Sequence, residues 1–299
     1  GEFGVIKVFD EGELKELVGQ SSLFQNEKTK KKAVPSSKSS LLEFTPLKCD
    51  PDLKISAKSF NEQQAAAVTS DAKHIVVTAG PGTGKTYTLV ARIERLLKDG
   101  IVKPSDITAI TFTNRAAAEM KERLERIEGV DAGKLFIGTF HAFCLDLLRG
   151  DEQELTVIDG INRDKIISKL FPNLSPQEIK ETKDWLDTHY QKLASGEQLH
   201  QEQEKHTRVG VYYKELESRH GIDLNGVIPL CVQRLKTEES FFARAGLKAK
   251  YLFIDEFQDL NRPQFEFVRT LAINSSVFAI GDPDQAIYGF RGSSAEFFY

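Results

Sequence analysis

Short apolar runs rich in β-branched residues recur along this chain of 299 residues and predict buried strands. They span residues 74–78, 107–112, 135–139, 251–254 and 276–280. Runs with helical spacing lie between them, for example at 87–97 and 116–127. Strands that alternate with helices are typical of a parallel sheet in an α/β domain. In such a sheet, ligands bind at the carboxyl ends of the strands.

The pattern changes between about Gly160 and Gly226, where long charged segments have helical spacing and no strand is predicted. Helices are expected over 164–170, 176–193 and 200–217. The single tryptophan, Trp185, lies in this region and is expected to pack inside it. We interpret the region as a helical insertion into the α/β domain.

These patterns divide the chain into four predicted parts. Residues 59–159 and 231–299 form the first and second parts of the α/β domain, and 160–230 form the insertion. Residues 1–58 are an N-terminal extension, with a lysine- and serine-rich linker that is expected to be partly disordered. The chain is expected to be a piece of a longer protein.

Composition and charge narrow the class of protein. With 40% hydrophobic and 28% charged residues, the chain resembles a soluble globular protein. A net charge of −4 excludes a globally basic protein, so any nucleic-acid binding must use a local patch. Three widely spaced cysteines predict a reducing, cytoplasmic location. No apolar run approaches membrane-spanning length, so no membrane association is expected.

A glycine-rich loop, Ala79–Thr86, connects the strand at 74–78 to the helix at 87–97. Its glycines let backbone N–H groups turn around an anion, at the positive end of the following helix. Lys85 adds a charge for the β- and γ-phosphates, and the Thr86 hydroxyl is placed to bind Mg²⁺. Strand, loop and helix in this order predict a P-loop rather than an ordinary glycine-rich turn. Ala79 stands where the general pattern has glycine.

Two acidic residues, Asp255 and Glu256, end the strand at 251–254. Asp255 is placed to bind Mg²⁺, and Glu256 to activate or orient the attacking water. This pattern is weak alone and strong when it follows a P-loop by about 170 residues. Gln285, after the last predicted strand, is a polar group suited to sense the γ-phosphate.

Aromatic rings and polar or cationic groups follow three of the predicted strands, in 111–115, 139–141 and 285–292. Stacking surfaces beside phosphate-binding groups are what single-stranded nucleic acid requires. Taken singly, Phe112 and Phe140 fit a core role better. His141 alone fits a helix-capping or core histidine better than a catalytic one.

Together, these segments resemble the motifs of UvrD/Rep/PcrA-type superfamily 1 DNA helicases. The matching segments are Ala79–Thr86, Ile110–Met120, Ile137–His141, Ile254–Asp259 and Gly281–Gly292. Their order and spacing both match, and Ala79 is the family's usual residue at its position. Phe60–Val68 is similar to the family's adenine-reading Q motif. The resemblance covers about residues 59–299, although in the insertion only position and character match.

The resemblance implies a RecA-like P-loop NTPase domain (1A), interrupted by an all-helical subdomain (1B). It implies ATP and Mg²⁺ as cofactors, and hydrolysis coupled to 3′→5′ translocation on single-stranded DNA, with 3′-tailed duplexes as substrates and DNA repair as a role. The nucleotide-binding residues that it assigns are Gln64, Ala79, Gly80, Pro81, Gly82, Thr83, Gly84, Lys85, Thr86 and Tyr87. It assigns catalysis to Lys85, Glu256 and Gln285, and Mg²⁺ binding to Thr86 and Asp255.

By the same resemblance, eight residues line the path of the DNA strand: Phe112, Asn114, Arg115, Thr139, His141, Tyr288, Phe290 and Arg291. Phe290 stands where relatives often carry tryptophan, which predicts weaker stacking. The family's second motor domain, with its arginine fingers, is expected to be absent from this chain. Because such fingers contribute about 10³- to 10⁵-fold in rate, the chain alone is expected to bind ATP, hydrolyse it slowly and unwind no DNA.

Two other hypotheses remain open at this point. One is a non-catalytic nucleic-acid-binding or regulatory module with a vestigial P-loop. Against it, Lys85, Thr86, Asp255 and Glu256 are all intact. The other is a motor joined to a nuclease or another N-terminal module, and residues 1–58 are also a candidate contact for protein partners.

Overall fold

The computed structural model describes residues 3–8, 60–150, 154–196 and 207–285, the first of these by its backbone alone. The strands in these ranges are β1 (Phe3–Val8), β2 (His74–Ala79), β3 (Ile107–Thr111), β4 (Phe136–Thr139), β5 (Thr156–Ile158), β6 (Gly221–Asp223), β7 (Tyr251–Ile254) and β8 (Ser276–Gly281). The helices are α1 (Glu62–Thr69), α2 (Lys85–Lys98), α3 (Asn114–Glu125), α4 (Phe140–Arg149), α5 (Gly160–Leu170), α6 (Pro176–Ser195), α7 (Arg208–Ser218), α8 (Val227–Thr237), α9 (Glu239–Lys248) and α10 (Arg262–Leu271).

The main sheet has the strand order β1-β2-β8-β7-β3-β4. Strands β2, β8, β7, β3 and β4 run parallel to their neighbours, and β1 pairs with β2 in the antiparallel direction. The predicted α/β fold with a parallel sheet is confirmed. All five apolar runs predicted as strands lie in this sheet, and β1 includes the short apolar run Val5–Val8 of the N-terminal extension.

Two layers of helices cover the main sheet, and consecutive strand residues face opposite layers. Leu252 and Ile254 of β7 pack in the core that also contains residues of α4, α8, α9 and α10. Phe253, between them, packs in the core formed with α1, α2 and α3. Burial on both faces explains why the strands read as continuous apolar runs rather than as alternating ones.

The region predicted as a helical insertion contains α5, α6 and α7, with a small core of its own that includes Ile167, Leu186 and Tyr212. Thr207 caps the start of α7, and residues 200–206 of the helix predicted at 200–217 lie outside the described residues. The expectation of no strand here is wrong. Strand β6 lies at the end of this region and pairs with β5 just before it, and three residues each are too few to show a period.

Two further sequence expectations need correction. Trp185 does not pack inside the insertion: the residue is 51% exposed, and the Arg208 guanidinium lies 5.6 Å from its ring centroid. The buried stripe of α6 runs through Thr182, Leu186 and Tyr190, and Trp185 lies to one side of it. The pattern over 228–245 also favours one continuous helix, but the helix is broken at Glu238, whose extended backbone separates α8 from α9.

Candidate functional site

One edge of the main sheet brings the predicted motifs together. The carboxyl ends of β2, β8, β7, β3 and β4 follow one another along it. Thr78 of β2 lies beside Gly281 of β8, and Thr111 of β3 lies beside Thr139 of β4. The P-loop, the Gln285 turn, the acidic pair and the two polar segments after β3 and β4 therefore lie along the same edge.

The loop after β2 has the backbone that a phosphate cradle needs. Gly82 and Gly84 have φ values of +70° and +86°, in the left-handed region that favours glycine. Gly84 is also the N-cap of α2, so the N-terminus of that helix opens onto the loop. The Thr83 hydroxyl donates to the Gly80 carbonyl at 2.6 Å and closes the turn.

Gln64 lies against this loop. It is buried, its Nε2 donates to the Thr83 carbonyl at 3.0 Å, and its Oε1 accepts from the Asn61 N–H at 3.1 Å. The second bond belongs to a capping box, because the Asn61 side chain accepts in return from the Gln64 N–H. Gln64 is therefore not an ordinary surface residue of its helix.

Tyr87, on the first turn of α2, stacks on Phe60, with 5.2 Å between the ring centroids and 28° between the planes. Burial and the nearby Glu94 carboxylate raise the pKa of the Tyr87 hydroxyl. The stack connects the start of α1 to the start of α2. Both ends of the Gln64 contact are thereby held in place.

Lys85 and Thr86 face the two acids that follow β7. The Lys85 ammonium lies 3.1 Å from Glu256 Oε2, and the Thr86 hydroxyl donates to Asp255 Oδ2 at 3.3 Å. Asp255 is buried, and the Glu256 carboxylate is about a third exposed. The two halves of the predicted nucleotide site, 169 residues apart along the chain, are therefore in direct contact.

Two carboxyl groups near this contact have raised pKa values. Burial and the Glu256 carboxylate raise the pKa of Asp255 to about 6, against the opposing effects of the Glu256 N–H, Thr86 and Lys85. Burial and Glu256 also raise the pKa of Asp259 to about 6. Glu256 itself has φ +51°, which is unusual for a residue with a side chain. Uncompensated negative charge and backbone strain together are typical of a functional site.

The oxygen atoms of Thr86 and Asp255 suit Mg²⁺. A hydroxyl and a carboxylate are hard donors, and two ligands of one octahedral magnesium ion lie about 3 Å apart. The 3.3 Å between these oxygens is close to that separation. Burial and the Glu256 carboxylate raise the pKa of Asp255, and a divalent cation bound here would offset both effects.

Gln285 lies in a short 3₁₀ turn, Pro283–Gln285, immediately after β8. Its N–H donates to the Asp282 carbonyl at 2.9 Å. Because β8 lies between β2, which leads into the P-loop, and β7, which leads into Asp255 and Glu256, this turn is next to both. The structure describes the turn only as far as Gln285.

The remaining predicted site residues follow β3 and β4. Phe112 is half-buried, and Asn114 and Arg115 are exposed at the start of α3. Thr139 is the N-cap of α4, so the alternative of His141 as the helix cap is wrong. His141 is half-buried, and burial lowers the pKa of its imidazole.

Phe140, predicted to be a core residue when taken singly, is indeed in the core. Tyr288, Phe290 and Arg291 lie outside the described residues.

Sequence reasoning missed Gln258. Its buried amide donates to Glu256 Oε2 at 2.8 Å and accepts from the Asp282 N–H at 2.9 Å. A polar residue directly after two acids was the available signal. The partner 24 residues away could not be identified without the fold.

Comparison with known proteins agrees with this geometry. Residues 60–299 match the family model described as the UvrD/REP helicase N-terminal domain. The chain belongs to this family. The match begins at the ring that stacks on Tyr87 and includes every segment of the site described above, and it confirms the predicted resemblance to UvrD/Rep/PcrA-type helicases.

Individual members of the UvrD/REP family give the same result. The chain is 31% identical over 257 residues to the ATP-dependent DNA helicase PcrA of Staphylococcus epidermidis, and 31% identical over 254 residues to PcrA of Staphylococcus aureus. The alignments cover 80% and 79% of this chain but 35% of each relative. The chain thus spans about a third of the length of these relatives. Among the residues described, no helix combines the length and apolar character needed to cross a membrane.

Proposed function

We propose that this chain is the ATP-binding motor domain of a UvrD-like DNA helicase. In the full-length protein it couples Mg²⁺–ATP hydrolysis to 3′→5′ movement along single-stranded DNA. The observation that carries this proposal is the contact between the P-loop and the acidic pair, through Lys85 with Glu256 and Thr86 with Asp255. Membership of the UvrD/REP family and similarity to proteins named ATP-dependent DNA helicase support it.

In this proposal, Lys85 changes partner during the reaction. Without nucleotide, its ammonium pairs with Glu256. Phosphate oxygens compete for the same ammonium, so nucleotide binding weakens the ion pair and leaves the Glu256 carboxylate available to activate water. Gln285 contacts the γ-phosphate from the adjacent turn, and Gln64 reads the adenine edge.

Thr86 and Asp255 hold the magnesium ion in this proposal. When bound, the ion neutralises charge on the β- and γ-phosphates. Asp255 supplies its carboxylate from the end of a buried strand, where the backbone N–H of Glu256 fixes Oδ1 at 3.1 Å. The ligand is thus already oriented before nucleotide arrives.

The DNA strand runs, in this proposal, past the segments after β3 and β4 and past Tyr288, Phe290 and Arg291. A 3′-tailed duplex is the expected substrate. The sheet domain corresponds to 1A in two parts, 59–159 and 231–299, and residues 160–230 to 1B. We place the protein in the cytoplasm and assign residues 1–58 to contacts with protein partners.

Two variants with one control test the nucleotide site. Lys85→Ala removes the charge that holds the phosphates and should abolish detectable Mg²⁺–ATP binding, measured by calorimetry. Lys121→Ala, on the neighbouring helix α3, removes an exposed ion pair with Glu125 and should leave nucleotide affinity unchanged.

Glu256→Gln keeps the size of the side chain and removes the base. Nucleotide affinity should be retained, while DNA-stimulated hydrolysis in the full-length protein should fall by about 10²- to 10⁴-fold. Undiminished hydrolysis would show that Glu256 is not the base that activates water. Failure of the unaltered protein to bind Mg²⁺–ATP would instead support the rival hypothesis, a nucleic-acid-binding module with a vestigial P-loop.

A further inference from the structure

The amide of Gln258 connects two parts of the site that are far apart in sequence. Its nitrogen Nε2 donates to Glu256 Oε2 at 2.8 Å. Its oxygen Oε1 accepts from the backbone N–H of Asp282 at 2.9 Å. The residue is 2% exposed, so neither bond competes with bulk water. The donor and the acceptor of the amide are thus both hydrogen-bonded, the first to Glu256 and the second to Asp282.

Glu256 is on the first side of this bridge. Its carboxylate is about a third exposed, and the side-chain contacts described for it come from Lys85 and Gln258. Lys85 and Gln258 reach the same oxygen, Oε2. If phosphates draw Lys85 away, the bond from Gln258 still holds the carboxylate in place.

The turn with Gln285 is on the second side. Asp282 is the first residue after β8, and its carbonyl accepts from the Gln285 N–H at 2.9 Å. Its carboxylate Oδ1 accepts from the Asp284 N–H at 3.1 Å. Asp282 therefore organises the turn internally, and Gln258 anchors Asp282 from outside.

We propose that Gln258 is a positioning residue that holds the Glu256 carboxylate and fixes it relative to the turn that bears Gln285. The inference rests on the proposed ATPase function. It predicts that the water-activating group and the γ-phosphate contact move as one unit, since a shift of either strains the same amide. An amide is required here, because a carboxylate lacks the donor and an apolar side chain lacks both groups.

Gln258→Met in the full-length protein keeps the approximate length and removes both bonds. Affinity for Mg²⁺ with a non-hydrolysable ATP analogue should stay within about threefold. The kcat for ATP hydrolysis should fall by about 10- to 100-fold with KM little changed, the loss expected for one hydrogen bond to a charged group. Gln264→Met is the matched control, because that buried amide bonds only within the Asn261 capping box among the contacts described. It should leave kcat unchanged.

Gln258→Glu supplies a readout that loss of packing cannot imitate. The introduced carboxyl still accepts from the Asp282 N–H, but when ionised it repels Glu256 instead of donating to it. When protonated, it regains a donor and resembles the amide. The ratio of variant to unaltered kcat should therefore rise as pH falls from 8 to 6.

The outcomes separate the two proposals. Unaltered kcat in Gln258→Met, or a pH-independent ratio in Gln258→Glu, overturns the positioning role while ATP hydrolysis by the parent protein upholds the function. If Gln258→Met does not fold, as judged by circular dichroism, Gln258→Glu alone decides. If the parent protein neither binds nor hydrolyses ATP, both proposals fall.

Discussion

His141 shows how one side chain links the site to stability. Its imidazole is half-buried at the start of α4, where burial lowers its pKa below the ordinary 6.5. The folded protein therefore holds the neutral form at pH values where the unfolded chain already takes up a proton. Below about pH 6.5 the unfolded state binds more protons than the folded state. The free energy of unfolding therefore decreases as the pH is lowered.

Replacing His141 with glutamine removes this dependence. The difference in free energy of unfolding between the original chain and His141→Gln should shift in favour of the variant between pH 7.5 and pH 5.5, as measured by urea denaturation. Comparing the two chains at each pH cancels the titration of other groups. A difference that stays constant with pH would show that the buried imidazole does not titrate as proposed.

The sequence motifs predicted much of the candidate site without knowledge of the fold. Lys85, Thr86, Asp255 and Glu256 lie in contact, as their motifs predicted. The left-handed backbone of Glu256 and the bridge through Gln258 could not be predicted, because both depend on where β7 and β8 place their ends. The prediction that Trp185 is packed inside was wrong, because the presence of a tryptophan does not tell which face of α6 is buried.

Elements of the sheet were predictable because both of their faces are buried. Five continuous apolar runs marked β2, β3, β4, β7 and β8. Short β5 and β6 carry no such signal, and the break at Glu238 carries no glycine or proline. Helix starts were clearer, since Asn61 is followed by Gln64 in the pattern of a capping box.

Helices α1 and α10 both begin with an Asn–Gln capping box, so comparing them distinguishes the effect of capping from the effect of nucleotide binding. Asn61 with Gln64, and Asn261 with Gln264, form matching capping boxes. Only Gln64 also contacts the P-loop, at the Thr83 carbonyl. Gln64→Ala and Gln264→Ala should each lower the free energy of unfolding by about 1 kcal/mol, while only Gln64→Ala weakens Mg²⁺–ATP binding.

The choice of nucleotide tests the adenine-reading role of Gln64. Its amide nitrogen has a second N–H and its oxygen a second lone pair beyond the bonds made in the protein. Gln64→Ala should therefore weaken ATP binding more than GTP binding, measured by calorimetry on the same samples. An equal loss for both nucleotides would contradict base reading and leave support of the loop as the role of Gln64.

At the scale of the whole molecule, a buried ion pair connects the proposed insertion to the nucleotide site. Lys236 of α8 lies 2.9 Å from Glu266 of α10 and donates to the Ala194 carbonyl, in the last turn of α6, at 2.8 Å. Helix α10 follows directly after the acidic turn. A single ammonium thus joins the longest helix of the insertion to the helix that leaves the site.

Removing that ammonium should be costly. Lys236→Met leaves Glu266 buried with Arg269 as its remaining described ion-pair partner, so the free energy of unfolding should fall by about 2–4 kcal/mol. Lys248→Met breaks an exposed pair with Asp146 and should cost less than about 1 kcal/mol.

The double variant Lys236→Met with Glu266→Met distinguishes a buried charge from lost packing. Removing both charges leaves neither a buried ammonium nor a buried carboxylate, and the Arg269 guanidinium, which loses its bond to Glu266, is partly exposed to water; most of the stability lost in Lys236→Met should therefore return, as followed by denaturant titration. A double variant as unstable as Lys236→Met would mean that the bond to the Ala194 carbonyl, rather than the ion pair, holds α6 in place. In that case the connection to α10 would pass through helix packing and not through Glu266.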